Sequence, residues 1–145
     1  MVQRAVVSQG VRECIAAGLG LALESVQEDV KIIAQLGADS LDLLDLTFRL
    51  EERFGITISP RDIERRTRAG LGDVPLETDG VYTPQALAEL RGAMPEVSPE
   101  ELADGLTPGE LPLRFRVATM VNLVCRLLDE QRGARESDER EEPDA

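Results

Sequence analysis

The chain has 145 residues, with 16 basic against 28 acidic side chains and a net charge of −12, so one compact domain is expected and a nucleic-acid binder or anionic-membrane anchor is not. Histidine is absent, which excludes Ser-His and Cys-His nucleophile pairs and His-ligated metal sites, and no metal centre is expected. Only 3% of residues are aromatic and none is Trp, so the core must be built of Leu, Val, Ile and Ala, a composition that favours packed helices.

Val7, Val11, Cys14, Ile15 and Leu19 recur at helical spacing and predict a first helix over residues 2–19, ended by Gly18 and Gly20. No basic n-region followed by an apolar h-region opens the chain, so a secretory signal is not expected and a reducing cytoplasm is the expected compartment. Cys14 and Cys125 then read as small buried apolar side chains. Residues 20–38 carry Leu23, Val26, Val30, Ile32, Ile33 and Leu36 without a sustained period, the pattern of an ordered loop pinned by apolar anchors.

The strongest helical pattern covers 41–54 and is closed by Gly55. Beyond an extended piece at 56–58, four pairs read as an N-cap followed by proline at the first helical position: Ser59-Pro60, Thr83-Pro84, Ser98-Pro99 and Thr107-Pro108. They predict short helices near 60–69, 84–92, 99–104 and 108–112, with Glu101 spaced for a capping box with Ser98. A final helix over 117–130 shows an inward stripe of Val117, Met120, Val121, Val124, Leu127 and Leu128. Residues 132–145 hold three Arg, six acids and no large apolar side chain, and read as a disordered acidic tail. No apolar run approaches the ~20 residues of a spanning helix, so no stable membrane insertion is expected.

Turned at about 100° per residue, the helix after Ser40 has two apolar lines. Leu43, Leu46, Thr47, Leu50 and Phe54 share one face, and Leu41, Leu44 and Phe48 share another, flanked by Asp45, Glu51 and Glu52. The second line is either buried by a second neighbour or is a docking patch rimmed with carboxylates for a basic partner. The Asp39-Ser40 pair is common N-cap chemistry, and no general base beside Ser40 would make it a self-activated nucleophile. It can still accept a group from another enzyme, and a helix N-terminus favours a phosphodiester.

The stretch Leu-Gly-Ala-Asp-Ser-Leu-Asp at 36–42, followed by Leu44, Asp45, Leu46, Leu50-Glu51-Glu52 and Phe54-Gly55, closely resembles the phosphopantetheine attachment region of acyl carrier proteins. Upstream the similarity reaches Val11, and it is expected to resume over 117–128. The resemblance implies an all-α, acyl-carrier-like four-helix bundle that is not an enzyme. It implies 4'-phosphopantetheine attached to Ser40 by a phosphopantetheinyl transferase, with Asp39 and Leu41 flanking the attachment point. The arm would hold acyl intermediates as thioesters for a specialised fatty-acid, lipid or polyketide pathway. Asp42, Asp45, Glu51 and Glu52 match the family's acidic recognition positions, and Leu41, Leu44 and Phe48 its apolar partner-facing ones, so the expected partners are acyl-chain enzymes with basic docking surfaces. Gln35, Arg49 and Arg53 depart from the pattern, and residues from about 71 to 115 are an insertion with no counterpart. Residues 1–131 are thus expected to form one carrier-like domain containing that insertion and sharing one core with it. The competing class is a non-catalytic structural or protein-binding module of the same fold, not loaded with acyl groups; a carrier for amino acids on an assembly line is a smaller alternative.

Overall fold

The structure, a computed structural model, describes residues 3–59 and 62–141, with side chains as far as Arg135. Helix α1 (Arg4–Leu19) ends at Gly20, whose φ of 67° lets its N–H turn back to the Ala16 carbonyl. The following loop contains one 3-10 turn, Leu23–Ser25, and is pinned where expected: Val26 and Ile32 are buried, and Arg12 donates to the Val26 and Leu23 carbonyls. Helix α2 (Ser40–Phe54) is followed by α3 (Asp62–Leu71), α4 (Pro84–Ala93) and α5 (Val117–Glu141). Helix α1 packs against both α2 and α5, while α3 packs against α4.

The chain is mostly helical, as its composition suggests, but three local readings differ. Residues 77–82 form a hairpin of β1 (Glu77–Thr78) and β2 (Val81–Tyr82), paired Glu77 with Tyr82 and Thr78 with Val81. Asp79 and Gly80 both take positive φ, 56° and 82°, as a two-residue type I′ turn requires. Near Ser98 only a 3-10 turn forms, Pro99–Leu102, without a side-chain cap. Glu101 is drawn instead to Lys31 and Arg116, whose positive charges outbid a weak local cap. The helix expected at 108–112 is a turn held by Thr107 and Glu110, followed by a 3-10 turn at Leu111–Arg114. The Thr83 cap forms as expected, its hydroxyl accepting the Ala86 N–H at 3.2 Å, whereas Pro60 of the Ser59-Pro60 pair lies outside the described residues.

Helix α5 runs well past Glu130, so the segment read as a disordered tail is helical from 132 to Glu141. Gln, Arg, Ala and Glu have high helix propensity, and a helix already nucleated by packing extends at little cost. The last residues, 142–145, lie outside the described ones.

Apolar side chains gather in two clusters rather than one. Val11 and Ile15 of α1, Leu50 of α2, and Val117, Val121 and Val124 of α5 centre the first. Tyr82, Leu87, Leu90, Met94 and Leu102 centre the second, which takes Leu71 and Ile63 from α3. The inserted segment therefore builds a core of its own, corrected from the shared core expected, because α3 turns its apolar face to α4 instead of to the bundle. Phe115 touches both clusters. Polar side chains complete the attachment: Arg66 pairs with Glu130, Glu96 accepts from Thr119 and Asn122, and Glu101 joins Lys31 and Arg116. Cys14 is buried and Cys125 half-buried, both free, and burial pushes both thiols up, away from reactivity.

Candidate functional site

Helix α2 begins where the loop turns at Gly37, whose φ of 77° favours glycine. Asp39 is the N-cap: its Oδ1 accepts the Asp42 N–H at 2.8 Å, and Asp42 Oδ2 accepts the Asp39 N–H at 3.0 Å. This reciprocal capping box is formed by two carboxylates and leaves Ser40 out of the cap. Ser40 is the first helical residue, exposed, and its hydroxyl makes no hydrogen bond to a described residue. The N–H groups of Ser40 and Leu41 have no acceptor within the helix. A free hydroxyl beside open backbone donors at the positive end of a helix fits a phosphodiester, so the residues present suit a phosphate-linked prosthetic arm.

The two lines of α2 separate as the period suggests. Leu46 and Leu50 are buried in the first cluster, while Leu41, Leu44 and Phe48 are 73%, 46% and 59% exposed, so no second neighbour covers that line. The acids around it differ in availability. Asp42 serves the cap, and Asp45 accepts from Arg49 one turn on, at 2.7 Å. Glu51 Oε2 accepts the Ile58 N–H at 2.9 Å and so holds the extended piece after α2, whereas Glu52 is exposed. Arg49 and Arg53 are both spoken for: Arg53 reaches across to Glu13 of α1 at 2.8 Å.

Beside Ser40 a cavity of ≈ 590 Å³ opens between the bundle and the inserted segment. Leu43, Leu46 and Thr47 of α2 line one side, with Met120 and Leu123 of α5 behind them. Tyr82, Leu111 and Phe115 line the other, and Ser59, Asp62, Glu64 and Glu77 bring polar groups to it. Asp62 is buried but accounted for, since Oδ2 accepts the Ser59 N–H at 2.6 Å and the carboxylate pairs with Arg65. The sequence reading names Ser59, Pro108 and Met120 only for helix starts and core packing, and it gives no wall residue beyond 54 a part in the site. The Asp79-Gly80 turn was the signal available for Tyr82, because it places that residue on a hairpin.

Among the described residues no cluster of His, Cys, Asp and Glu is arranged to hold a metal ion, and no helix is long and apolar enough to cross a membrane.

Fold and site together define a small helical protein that offers partners a helix-terminal serine and an exposed apolar line. Residues 9–73 match the family described as the phosphopantetheine attachment site. The chain is 37% identical over 70 residues to the acyl carrier protein of Thermotoga maritima, which covers 48% of this chain and 86% of that protein. It is 44% identical over 59 residues to the acyl carrier protein of Campylobacter hominis, covering 41% and 75%, and 42% identical over 59 residues to that of Solidesulfovibrio magneticus, covering 41% and 76%. No solved structure matches the chain. The chain belongs to the acyl carrier protein family. Its prosthetic group is 4'-phosphopantetheine, and it carries acyl groups rather than converting them. Proteins of this family work with a phosphopantetheinyl transferase and with acyl-chain enzymes. The family match ends at residue 73 and does not reach α5, which nevertheless packs on α1.

Proposed function

We propose that Ser40 receives the phosphopantetheine arm and that residues 1–131 act as one carrier unit in a specialised fatty-acid, lipid or polyketide pathway. The observation that carries the reading is the uncommitted Ser40 hydroxyl at the start of α2, freed from capping by the Asp39 and Asp42 pair. When bound, the arm supplies the thiol that holds an acyl group as a thioester. Asp39 and Leu41 shape the approach to Ser40, the former by fixing the helix start and the latter by its exposed side chain. Leu41, Leu44 and Phe48 form the apolar part of the docking face, and Asp42, Asp45, Glu51 and Glu52 give it a negative rim suited to basic enzyme surfaces. Because Asp45 shares its charge with Arg49, that rim is weaker than a row of four free acids, in keeping with a dedicated set of partners. Two unpaired cysteines suit a reducing compartment such as the cytoplasm.

The test is incubation of the full chain with coenzyme A and a broad-specificity transferase, read by intact mass. Wild type gains one phosphopantetheine, and Ser40→Ala gains none. A wild-type chain that stays unmodified would favour the unloaded protein-binding module instead, and an Ala variant that is still modified moves the attachment to another residue.

A further inference from the structure

The two flanks of the exposed line on α2 differ in charge. On the flank toward α1, Asp45 pairs with Arg49 close over Gly18, where a Cβ would stand 3.3 Å from both Arg49 Nε and Asp45 Oδ2, and Arg53 pairs with Glu13. These pairs cancel, so that flank offers little net charge to a partner. On the opposite flank Ser40, Leu44 and Thr47 line one side of the ≈ 590 Å³ cavity, and Glu77, Pro108 and Gly109 line the other. Glu77 is exposed on β1 and makes no side-chain hydrogen bond or ion pair among the described residues. The family match ends at residue 73, so this second side lies outside the part of the chain that the family accounts for.

An enzyme that works at Ser40 must cover both sides. A compact space of ≈ 590 Å³ is about 10 Å across, whereas a standard footprint of about 800 Å² per partner is a patch about 30 Å wide. An enzyme seated over Ser40 and Leu44 therefore reaches Glu77 and Pro108 as well. Acyl-chain enzymes meet the free end of the arm and can stand further off, but the enzyme that attaches the arm works at the Ser40 oxygen itself. There Ser40 Oγ bonds to the pantetheine-side phosphorus of coenzyme A, the P–O bond to the departing adenosine 3',5'-bisphosphate breaks, and the hydroxyl proton passes to a base on the enzyme. Coenzyme A carries a pyrophosphate and a 3'-phosphate, so the surface that holds it over Ser40 is rich in Lys and Arg. Such a surface is complementary to an uncompensated carboxylate on the facing side.

We propose that the inserted segment is the second half of the docking surface for a basic phosphopantetheinyl transferase, which bridges the α2 line and the hairpin and is held on the hairpin side by Glu77. This rests on attachment at Ser40, which lines the same cavity. Helix α2 supplies the apolar contact through Leu41, Leu44 and Phe48, and the insertion supplies the charge that the Arg49 and Arg53 pairs remove from the other flank.

The full chain is incubated with coenzyme A and a broad-specificity transferase at low and high salt. Glu77→Lys is compared with Asp104→Lys, which makes the same charge change at an exposed residue of the insertion that does not line the cavity. At low salt Glu77→Lys lowers kcat/KM roughly 3- to 10-fold through KM, with kcat kept, and the loss shrinks at high salt, while Asp104→Lys matches wild type. Independently of any variant, titrating the wild-type chain with the transferase in the absence of coenzyme A shifts the amide signals of Glu77, Thr78 and Gly109 together with those of Leu44 and Phe48. A wild-type chain that never gains the arm overturns the Ser40 reading and this docking surface with it. A chain that gains the arm while Glu77→Lys keeps the wild-type rate, or loses no more than Asp104→Lys does, overturns the docking surface alone. Amide shifts confined to α2 overturn it as well.

Discussion

Gly10 of α1 lies against the ring of Phe54 at the end of α2, so close that a Cβ at position 10 would stand 2.7 Å from Phe54 Cζ. Gly55 follows with φ of 64°, so the chain leaves α2 immediately after this contact. The contact sets how near α2 can approach α1, with Ser40 at the opposite end of the same helix. Gly10→Ala forces the half-buried ring outward and is expected to destabilise the chain by about 1–3 kcal/mol, the usual range for overpacking. A thermal melt of the variant checks this, and adding Phe54→Leu recovers part of the loss because the shorter side chain vacates the clash. A melt that is unchanged in Gly10→Ala would mean that the helices separate freely.

The exposed line on α2 separates docking from folding. Phe48→Ala removes a ring that is 59% exposed, so the melting temperature stays within the range of ordinary surface changes while arm transfer slows about 5-fold or more. Reversing Asp45 and Glu52 slows transfer in a salt-dependent way, since exposed charges are screened beyond ~10 Å at 0.1 M. Asp42 belongs to a different class: Asp42→Ala removes half of the capping box and costs roughly 0.5–2 kcal/mol of stability. Initial transfer rates across a salt series, beside melts of each variant, distinguish these roles.

Acid is expected to loosen the inserted segment through Glu101. Its hydrogen bond to Lys31, with Arg116 also close, holds the Glu101 carboxyl below its ordinary value of 4.5. A depressed folded value means the stabilisation is fully present above that ordinary value and is lost as pH falls through the folded one. Amide exchange at Tyr82 and Leu90 should therefore accelerate as pH drops below the ordinary value, after correction for the intrinsic pH dependence of exchange. Glu101→Gln should exchange faster already at neutral pH and show a smaller further change on acidification. Identical profiles for wild type and Glu101→Gln would show that this ion pair does not attach the insertion.

Thr83 ties the hairpin to α4. Its buried hydroxyl donates to the Pro75 carbonyl at 2.8 Å and accepts the Ala86 N–H. Thr83→Ala leaves both groups short of a partner and is expected to cost about 1–2 kcal/mol. Because the second cluster has its own core, the loss should appear first as faster exchange over α4, with α1 and α5 little affected. Uniform acceleration across both clusters would show that they unfold as one unit.

Much of the bundle and the serine's setting is legible in the residues themselves. The period of α2 separates Leu46 and Leu50 from Leu41, Leu44 and Phe48, and the glycines at 20 and 55 end their helices, because periodicity and end-capping act within a few residues. The Asp39-Ser40 start is equally local, although the division of labour, with Asp39 and Asp42 capping and Ser40 left free, needed coordinates. Tertiary structure decided everything that depends on which distant side chains meet. Glu101 abandoned a local cap for Lys31, some seventy positions earlier, because a close ion pair outweighs a marginal turn. The two-residue strands at 77–82 are too short for a period to register, leaving only Asp79-Gly80 as a sign. The Ser-Pro and Thr-Pro pairs of the insertion announced short helices, but nothing in the sequence says that α3 would turn toward α4 and leave a cavity beside Ser40. That choice rests on long-range packing, where many apolar partners of similar size are interchangeable in sequence and only their shapes in space select among them.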